Sequence, residues 1–339
     1  MKILIIGSAL EGALEKHYLK YLNELGVETV IYDIHGQFIR QYQKSYLLKV
    51  LLHLRFLFFY WPYNTKLKKY ILNFTPSHII VFKGMEIFPR LLKWLSTQDI
   101  KLFNYNPDNP FIFSGIGSGN KNISDSIPLY DAYFTYDSAI FNKLKQKYAK
   151  PTYLLPFGYE VEDHVVEKCK ILKEINKVCF LGNPDKYRAS FISLLASKGL
   201  PVDVFGAGWS NWINLKNVKC HDSVYGDRFW ETLYQYRVQL NLMRPHNLYS
   251  HNMRSFEVPG IGGIMLAPNT PDHRKYFDEN KEIFLFEGID NCYEKAIYIL
   301  NMSKHEIKKI RDNARQKSLH SGYSYKYRAK YMFECLSTL

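Results

Sequence analysis

The sequence predicts an α/β protein made of two Rossmann-like, doubly wound parallel-sheet domains facing a central cleft. Three observations predict it. Along the first half of the 339 residues, short apolar runs alternate with amphipathic stretches, the pattern of parallel strands joined by crossover helices. A second series of the same kind begins after Tyr153-Leu154-Leu155-Pro156-Phe157-Gly158-Tyr159, where proline and glycine interrupt the pattern. The segment Arg254-Ser255-Phe256-Glu257-Val258-Pro259-Gly260-Ile261-Gly262-Gly263-Ile264-Met265-Leu266-Ala267 reads as a polar helix start, paired glycines and a buried strand, which is how such a domain presents a ligand-binding edge. Composition agrees, since 47% hydrophobic and 16% aromatic residues can fill two cores, and domains of roughly 150 residues make two of this length.

In chain order, residues 2–6 form a strand, 10–25 a helix and 28–32 a strand, and a long helical region runs to about residue 74. Residues 78–82, 101–105 and 132–135 follow as buried strands. The second set of strands falls at 177–181, 202–205, 238–243, 263–266 and 283–286, with helices between most of them. The expected domains are 1–157, 158–318 and a closing helical segment, 319–339, that packs back toward the first. There Tyr323, Tyr325 and Tyr327 near Arg328 read as packing residues. No internal repeat is evident.

Several function classes fall away. The formal charge of +13 asks for an acidic partner, but the basic residues are spread along the chain, and no RRM, helix-turn-helix or zinc-finger pattern is present, so nucleic acid is not expected. Cys169, Cys179, Cys220, Cys292 and Cys335 are scattered without a CxxC pair, which suits reduced thiols in a cytoplasmic protein. The apolar run at residues 2–7 is too short for a signal peptide, and residues 47–63 are too short and too charged to span a bilayer. Between Phe38 and Phe74, Arg40, Lys44, Lys49, Arg55, Lys66, Lys68 and Lys69 are interleaved with aromatics. Two readings stand: an amphipathic surface resting on anionic lipid at the inner face of the membrane, or a packed apolar face with solvated lysines, which is the commoner arrangement and the preferred one.

The chemistry of residues 254–263 is that of a nucleotide-sugar site. Arg254 can hold phosphate oxygens in a fork, Glu257 can accept two hydroxyl hydrogen bonds, and glycines such as Gly263 let backbone approach a ligand closely. No Asp-x-Asp is present to hold Mg²⁺ or Mn²⁺ against a diphosphate, so no metal is expected, and arginines or helix N-termini must neutralise the leaving group. Gly7-Ser8-Ala9-Leu10-Glu11-Gly12 lacks the lysine of a phosphate-binding loop and the spacing of a dinucleotide fingerprint.

Further segments occur in a fixed order: Asn104-Tyr105-Asn106-Pro107-Asp108-Asn109-Pro110, Tyr130-Asp131-Ala132-Tyr133-Phe134-Thr135-Tyr136-Asp137, Leu154-Leu155-Pro156-Phe157-Gly158 and Phe205-Gly206-Ala207-Gly208-Trp209. Together with Arg254-Ser255-Phe256-Glu257, they resemble the CgeB-type (group 1) glycosyltransferases of the GT-B class over about residues 77–330. The resemblance implies transfer of a sugar from a nucleotide-activated donor, without a bound metal or other cofactor, to a glycan, lipid-linked or protein acceptor.

Within that resemblance Glu257 matches the second glutamate of the retaining signature, which holds ribose hydroxyls. The first glutamate would fall at Tyr249, so retention or inversion stays open, as does which of Tyr249, His246, Asn247, Ser250 and His251 meets the donor. Gly182-Asn183-Pro184-Asp185-Lys186-Tyr187-Arg188 follows the first strand of the second half, where the class sets basic residues against the diphosphate, with Arg188 preferred over Lys186. Gly208 and Trp209 stand beside the base, or Trp209 caps the core. Asp108 and Glu11 are the candidate catalytic carboxylates, and 114–120 the candidate closing loop. A non-catalytic nucleotide- or sugar-binding protein, or a structural surface-layer component on the same fold, is the alternative.

Overall fold

The computed structural model describes the chain except Arg55 and residues 114–116, with the backbone alone of His246. The expected closing loop, 114–120, therefore lies partly outside the described residues. The chain divides into two compact units, Met1–Pro156 with Tyr325–Leu339, and Phe157–Ser324.

The first unit runs β1 (Lys2–Gly7), α1 (Leu14–Glu24), β2 (Glu28–Asp33), α2 (Ile34–Lys44), α3 (Tyr46–His53), α4 (Trp61–Phe74), β3 (His78–Phe82), α5 (Pro89–Leu95), β4 (Lys101–Asn106), α6 (Lys121–Ser126), β5 (Ala132–Thr135), α7 (Ser138–Tyr148) and β6 (Thr152–Leu154). All its strands pair in parallel in the order β2-β1-β3-β4-β5-β6. Helices cover both faces, so β1 is a continuous apolar run, Ile3 to Ile6, with no exposed surface. The chain leaves β1 toward β2 and returns on the other side as β3, a reversal that opens a crevice at the strands' carboxyl ends.

Two expectations are corrected here. The first helix starts at Leu14 rather than residue 10, because Gly12 is left-handed (φ +73°) and Ala13 is extended. The long helical region is three helices, broken where extended Ser45 caps α3 by accepting from the Leu48 N–H at 3.3 Å. Strand β6 was not expected: at three residues on a sheet edge it is too short to show a period.

The second unit runs α8 (Asp163–Lys170), β7 (Ile175–Leu181), α9 (Lys186–Ser197), β8 (Val202–Phe205), β9 (Val218–His221), α10 (Asp227–Gln235), β10 (Tyr236–Leu240), α11 (Arg254–Ile261), β11 (Met265–Pro268), α12 (Pro271–Tyr276), β12 (Phe284–Phe286), α13 (Gly288–Asn301) and α14 (Lys304–His320). The chain then returns to the first unit as α15 (Tyr325–Ser337), whose Tyr325 ring stacks on His17 of α1 at 4.3 Å. The second sheet is likewise parallel, ordered β12-β11-β10-β7-β8-β9, so its reversal lies between β7 and β10. Edge strand β9, in the polar run Val218-Lys219-Cys220-His221, was not expected. The strand expected at 263–266 begins only at Met265, because Gly262 (φ +85°) ends α11 in a left-handed turn.

Candidate functional site

In the second unit the candidate residues gather at the β7/β10 reversal. Asp185 caps α9 by accepting from the Arg188 N–H at 3.0 Å, which turns the Arg188 side chain under the loop. Its guanidinium donates to Asn183 O (3.2 Å) and Leu242 O (3.0 Å), tying the ends of β7 and β10 together. Burial, with Arg244 and Arg254 close by, pulls its pKa down to about 10, while Asp185 opposes the shift. Three arginines thus converge on one sheet edge. Arg254 opens α11, donates from Nε to Leu181 O (3.2 Å), lies over the Phe229 ring (4.5 Å) and ion-pairs with Glu257 one turn on. Arg244 is exposed and has no carboxylate partner among the described residues.

A buried polar network holds the first turn of α11. Asn252 Oδ1 accepts from Ser255 N (3.2 Å) and Ser255 Oγ from Asn252 N (3.1 Å), a reciprocal cap. His273 donates from Nδ1 to Pro268 O (2.8 Å), so Nε2 is the acceptor for the Ser255 hydroxyl at 2.8 Å. Beneath the loop before α11, Asp272 accepts from Ser250 Oγ and His251 Nδ1, both at 2.9 Å.

These positions bear on three of the candidate residues. His251 is fully buried among Phe157, Phe256 and Tyr276, and its Nε2 accepts from Phe157 N (3.4 Å), so it braces the loop rather than reaching the surface. Gly263 is a packing glycine, since a Cβ there would lie 2.6 Å from Leu233 O. Trp209 caps the core: it is 1% exposed, packs edge-on to Phe180 and donates from Nε1 to Gly182 O (2.8 Å). Gly208, left-handed at φ +82°, makes the turn into it. Lys186 and Tyr249 are exposed, Tyr249 by 77%. Arg244 was not among the expected contacts, although it directly follows the strand predicted at 238–243 and so stands where the rule that found Arg188 would place a basic residue.

In the first unit a second cluster sits at the β1/β3 reversal, lining a cavity of about 600 Å³. Glu11 is exposed on its rim. Asp108, after β4, ion-pairs with Lys83 (2.6 Å), which is itself held left-handed at φ +61° and donates to Gly117 O at 2.7 Å. Unforeseen were Glu15, His35 and Glu86. Glu15 is 9% exposed and accepts from the Ser8 N–H at 2.7 Å; a side chain at Gly7 would strike its carboxylate. Burial raises the Glu15 pKa, against its backbone hydrogen bonds and the charge of His35. His35 Nδ1 meets Glu86 Oε1 at 2.6 Å, and that hydrogen bond raises the His35 pKa over the opposing effect of burial, with the charges of Glu86 and Glu15 adding to it and Lys83 working against it.

A separate concavity of about 730 Å³ on the second unit, lined by Glu174, Gln235 and Arg311, sits where Glu174 and Gln235 lead into β7 and β10, the opposite edge from the arginine cluster. Among the described residues no three His, Cys, Asp or Glu side chains cluster to hold a metal, and no helix is long and apolar enough to cross a membrane.

Residues 188–334, from α9 through α15, match the family model described as glycosyl transferase-like. That segment is thus similar to a glycosyl transferase-like domain, and the fold of the whole chain is of the GT-B class. Among curated proteins none matches it. Solved structures of the same fold include sucrose-phosphate synthase from Thermosynechococcus elongatus, 10% identical over 100% of this chain and 99% of that one with a TM-score of 0.73. Anabaena HepE in complex with UDP-glucose is 13% identical over the whole of both chains with a TM-score of 0.66. The Neisseria meningitidis UDP-GlcNAc 2-epimerase bound to UDP-GlcNAc is 13% identical over the whole of both chains with a TM-score of 0.60.

Proposed function

We propose that the protein is a cytoplasmic glycosyltransferase that moves a sugar from a nucleoside-diphosphate donor to a hydroxyl acceptor, with arginines in place of a metal at the diphosphate. The observation that carries this reading is the convergence of Arg188, Arg244 and Arg254 on the β7/β10 reversal, where α/β sheets of this kind bind ligands. Asp185 and Glu257 offset part of the positive charge there, and a diphosphate supplies further counter-charge. Arg244 is the direct contact, Arg254 the second, and Arg188 braces the loop while adding its charge. Glu257, beside Arg254, holds ribose hydroxyls, and Lys186, Gly182 and Tyr249 border the donor. Negative charge grows on the departing diphosphate during transfer, and one preorganised donor to such charge contributes about 3 kcal/mol. The fold's UDP-glucose-bound and UDP-GlcNAc-bound relatives favour a uridine donor.

Thermal melting of the full chain with UDP, GDP, CDP, ADP, dTDP and CMP, each with and without EDTA, tests the reading. Stabilisation by one nucleoside diphosphate that survives EDTA supports it, with about 2.7 kcal/mol expected at a hundredfold excess over the dissociation constant. A melting point indifferent to every nucleotide favours the non-catalytic alternative.

Helix α3 buries only Leu52, leaving Tyr46, Leu47, Val50 and Leu54 exposed beside Lys44 and Lys49, with Phe58 and Trp61 also exposed. Phe38, Leu52, Phe59, Tyr60 and Tyr63 of the same segment pack in the core, as the preferred reading expects, and the proposal concerns the residues left exposed. A basic, aromatic-rich apolar surface suits an anionic bilayer, which is the partner proposed for it.

A further inference from the structure

Resting on the transferase reading, we propose that His35, held by Glu86, takes the proton from the acceptor hydroxyl, and that the first-unit cavity binds an acceptor whose hydroxyl is joined to an apolar body. The geometry carries this. His35 lines the cavity with its Nδ1 fixed by Glu86 at 2.6 Å, so Nε2, with no hydrogen bond among the described residues, is the nitrogen left to accept a proton. Glu86 is 4% exposed, and its segment is clamped by Asn64 Nδ2 on Glu86 O (2.8 Å), by Asn64 Oδ1 on Phe88 N (2.9 Å) and by Asn122 Nδ2 on Met85 O (2.9 Å). A carboxylate fixed this firmly orients the imidazole and stabilises the imidazolium that forms. His35, Glu86, Glu15, Lys83 and Glu11 give the cavity one polar side, and Tyr60 lies near Glu86. Phe38, Ile39, Tyr42 and Leu52 give it an apolar one, and its volume fits a small molecule or the end of a larger one.

The sequence candidates are weaker bases. Asp108 is ion-paired with Lys83, and Glu11 is exposed without an orienting partner in the cavity wall. In the step itself the acceptor oxygen bonds to the anomeric carbon as the bond from that carbon to the phosphate oxygen breaks. The electron pair leaves with the nucleoside diphosphate, and the hydroxyl proton passes to His35 Nε2. Such a single displacement inverts the anomeric centre. Glu86 is a positioning residue, setting the ring and its basicity.

The test uses the full chain and the variants His35→Ala, His35→Gln, Glu86→Gln and Glu11→Gln, each checked for an unchanged melting point. Nucleoside diphosphate release is followed from UDP-glucose, UDP-GlcNAc, GDP-mannose and dTDP-glucose, with octyl glucoside as amphipathic acceptor. Both His35 variants should lose at least about 100-fold in kcat while the donor KM stays within about twofold. The wild-type rate should rise with pH as one group loses its proton. Glu86→Gln should move that midpoint to lower pH, and Glu11→Gln should leave it in place. Retained kcat in His35→Ala, or a midpoint unmoved in Glu86→Gln, overturns the base and leaves the transferase reading standing. A wild type inert toward all four donors overturns both. NMR titration of the His35 ring is independent of turnover: a pKa that does not fall in Glu86→Gln refutes the dyad in either case.

Discussion

Acidification should loosen the second unit through one buried imidazole, His273. The ring has no exposed surface, donates from Nδ1 to Pro268 O and accepts from Ser255 at Nε2, so the fold is built around its neutral form. Burial, with the charge of His251 adding, pulls its pKa from 6.5 to about 4, outweighing the Pro268 hydrogen bond and the charge of Asp272. The unfolded chain therefore binds a proton below about pH 6.5 that the folded chain refuses until about pH 4, and stability falls as pH drops through that window. At about 1.4 kcal/mol per unit, the loss between pH 6.5 and 4.5 is roughly 2–3 kcal/mol. Urea unfolding followed by tryptophan fluorescence, which reports this unit through Trp209, Trp212 and Trp230, measures it at pH 7.5, 6.5, 5.5 and 4.5. His273→Gln lowers stability at every pH but removes the titration, so the two slopes should separate between pH 6.5 and 4.5. His35, whose pKa is raised, contributes stability below its unfolded value that is lost as pH rises through its folded one, which gives the opposite slope and appears equally in both proteins. Identical slopes in the wild type and His273→Gln would refute the argument. Because Ser255 joins His273 to the first turn of α11, the affinity for UDP should hold down to about pH 4, where folded His273 takes its proton, and weaken below it as Arg254 loses its support.

Arg244→Ala should weaken UDP binding about tenfold or more, the value of a charge-assisted hydrogen bond, without lowering the melting point of the free protein, because the side chain is exposed; isothermal titration checks the first part and thermal melting the second. Gly206→Ala drives a Cβ into the Gly182 carbonyl and should cost about 1–3 kcal/mol by urea unfolding, with wild-type stability sinking the claim of close approach. Leu47→Glu with Val50→Glu should abolish cosedimentation with phosphatidylglycerol vesicles while sparing binding to UDP; undiminished cosedimentation would remove α3 as the contact surface.

The sequence by itself determined the α/β class and most of the central strands, since strands covered on both faces must be apolar throughout, as residues 3–6 and 79–82 are. It also determined the start of α11, where Arg254 and Glu257 fall one turn apart and so share a face. The edge strands β6 and β9 escaped it, because each is supported from one side and too short to show a period. Only the tertiary structure decided which polar residues meet. His35 and Glu86 are 51 positions apart and touch because β2 and β3 flank β1 and end on the same edge. Arg188 and Leu242, 54 apart, touch because β10 lies beside β7. Burial made the same distinction among similar side chains, drawing His251 and His273 into the core and leaving Arg244 in solvent. A periodicity reports which face of an element turns inward, but the partner it finds there depends on strand order, which is set by the packing of the whole sheet.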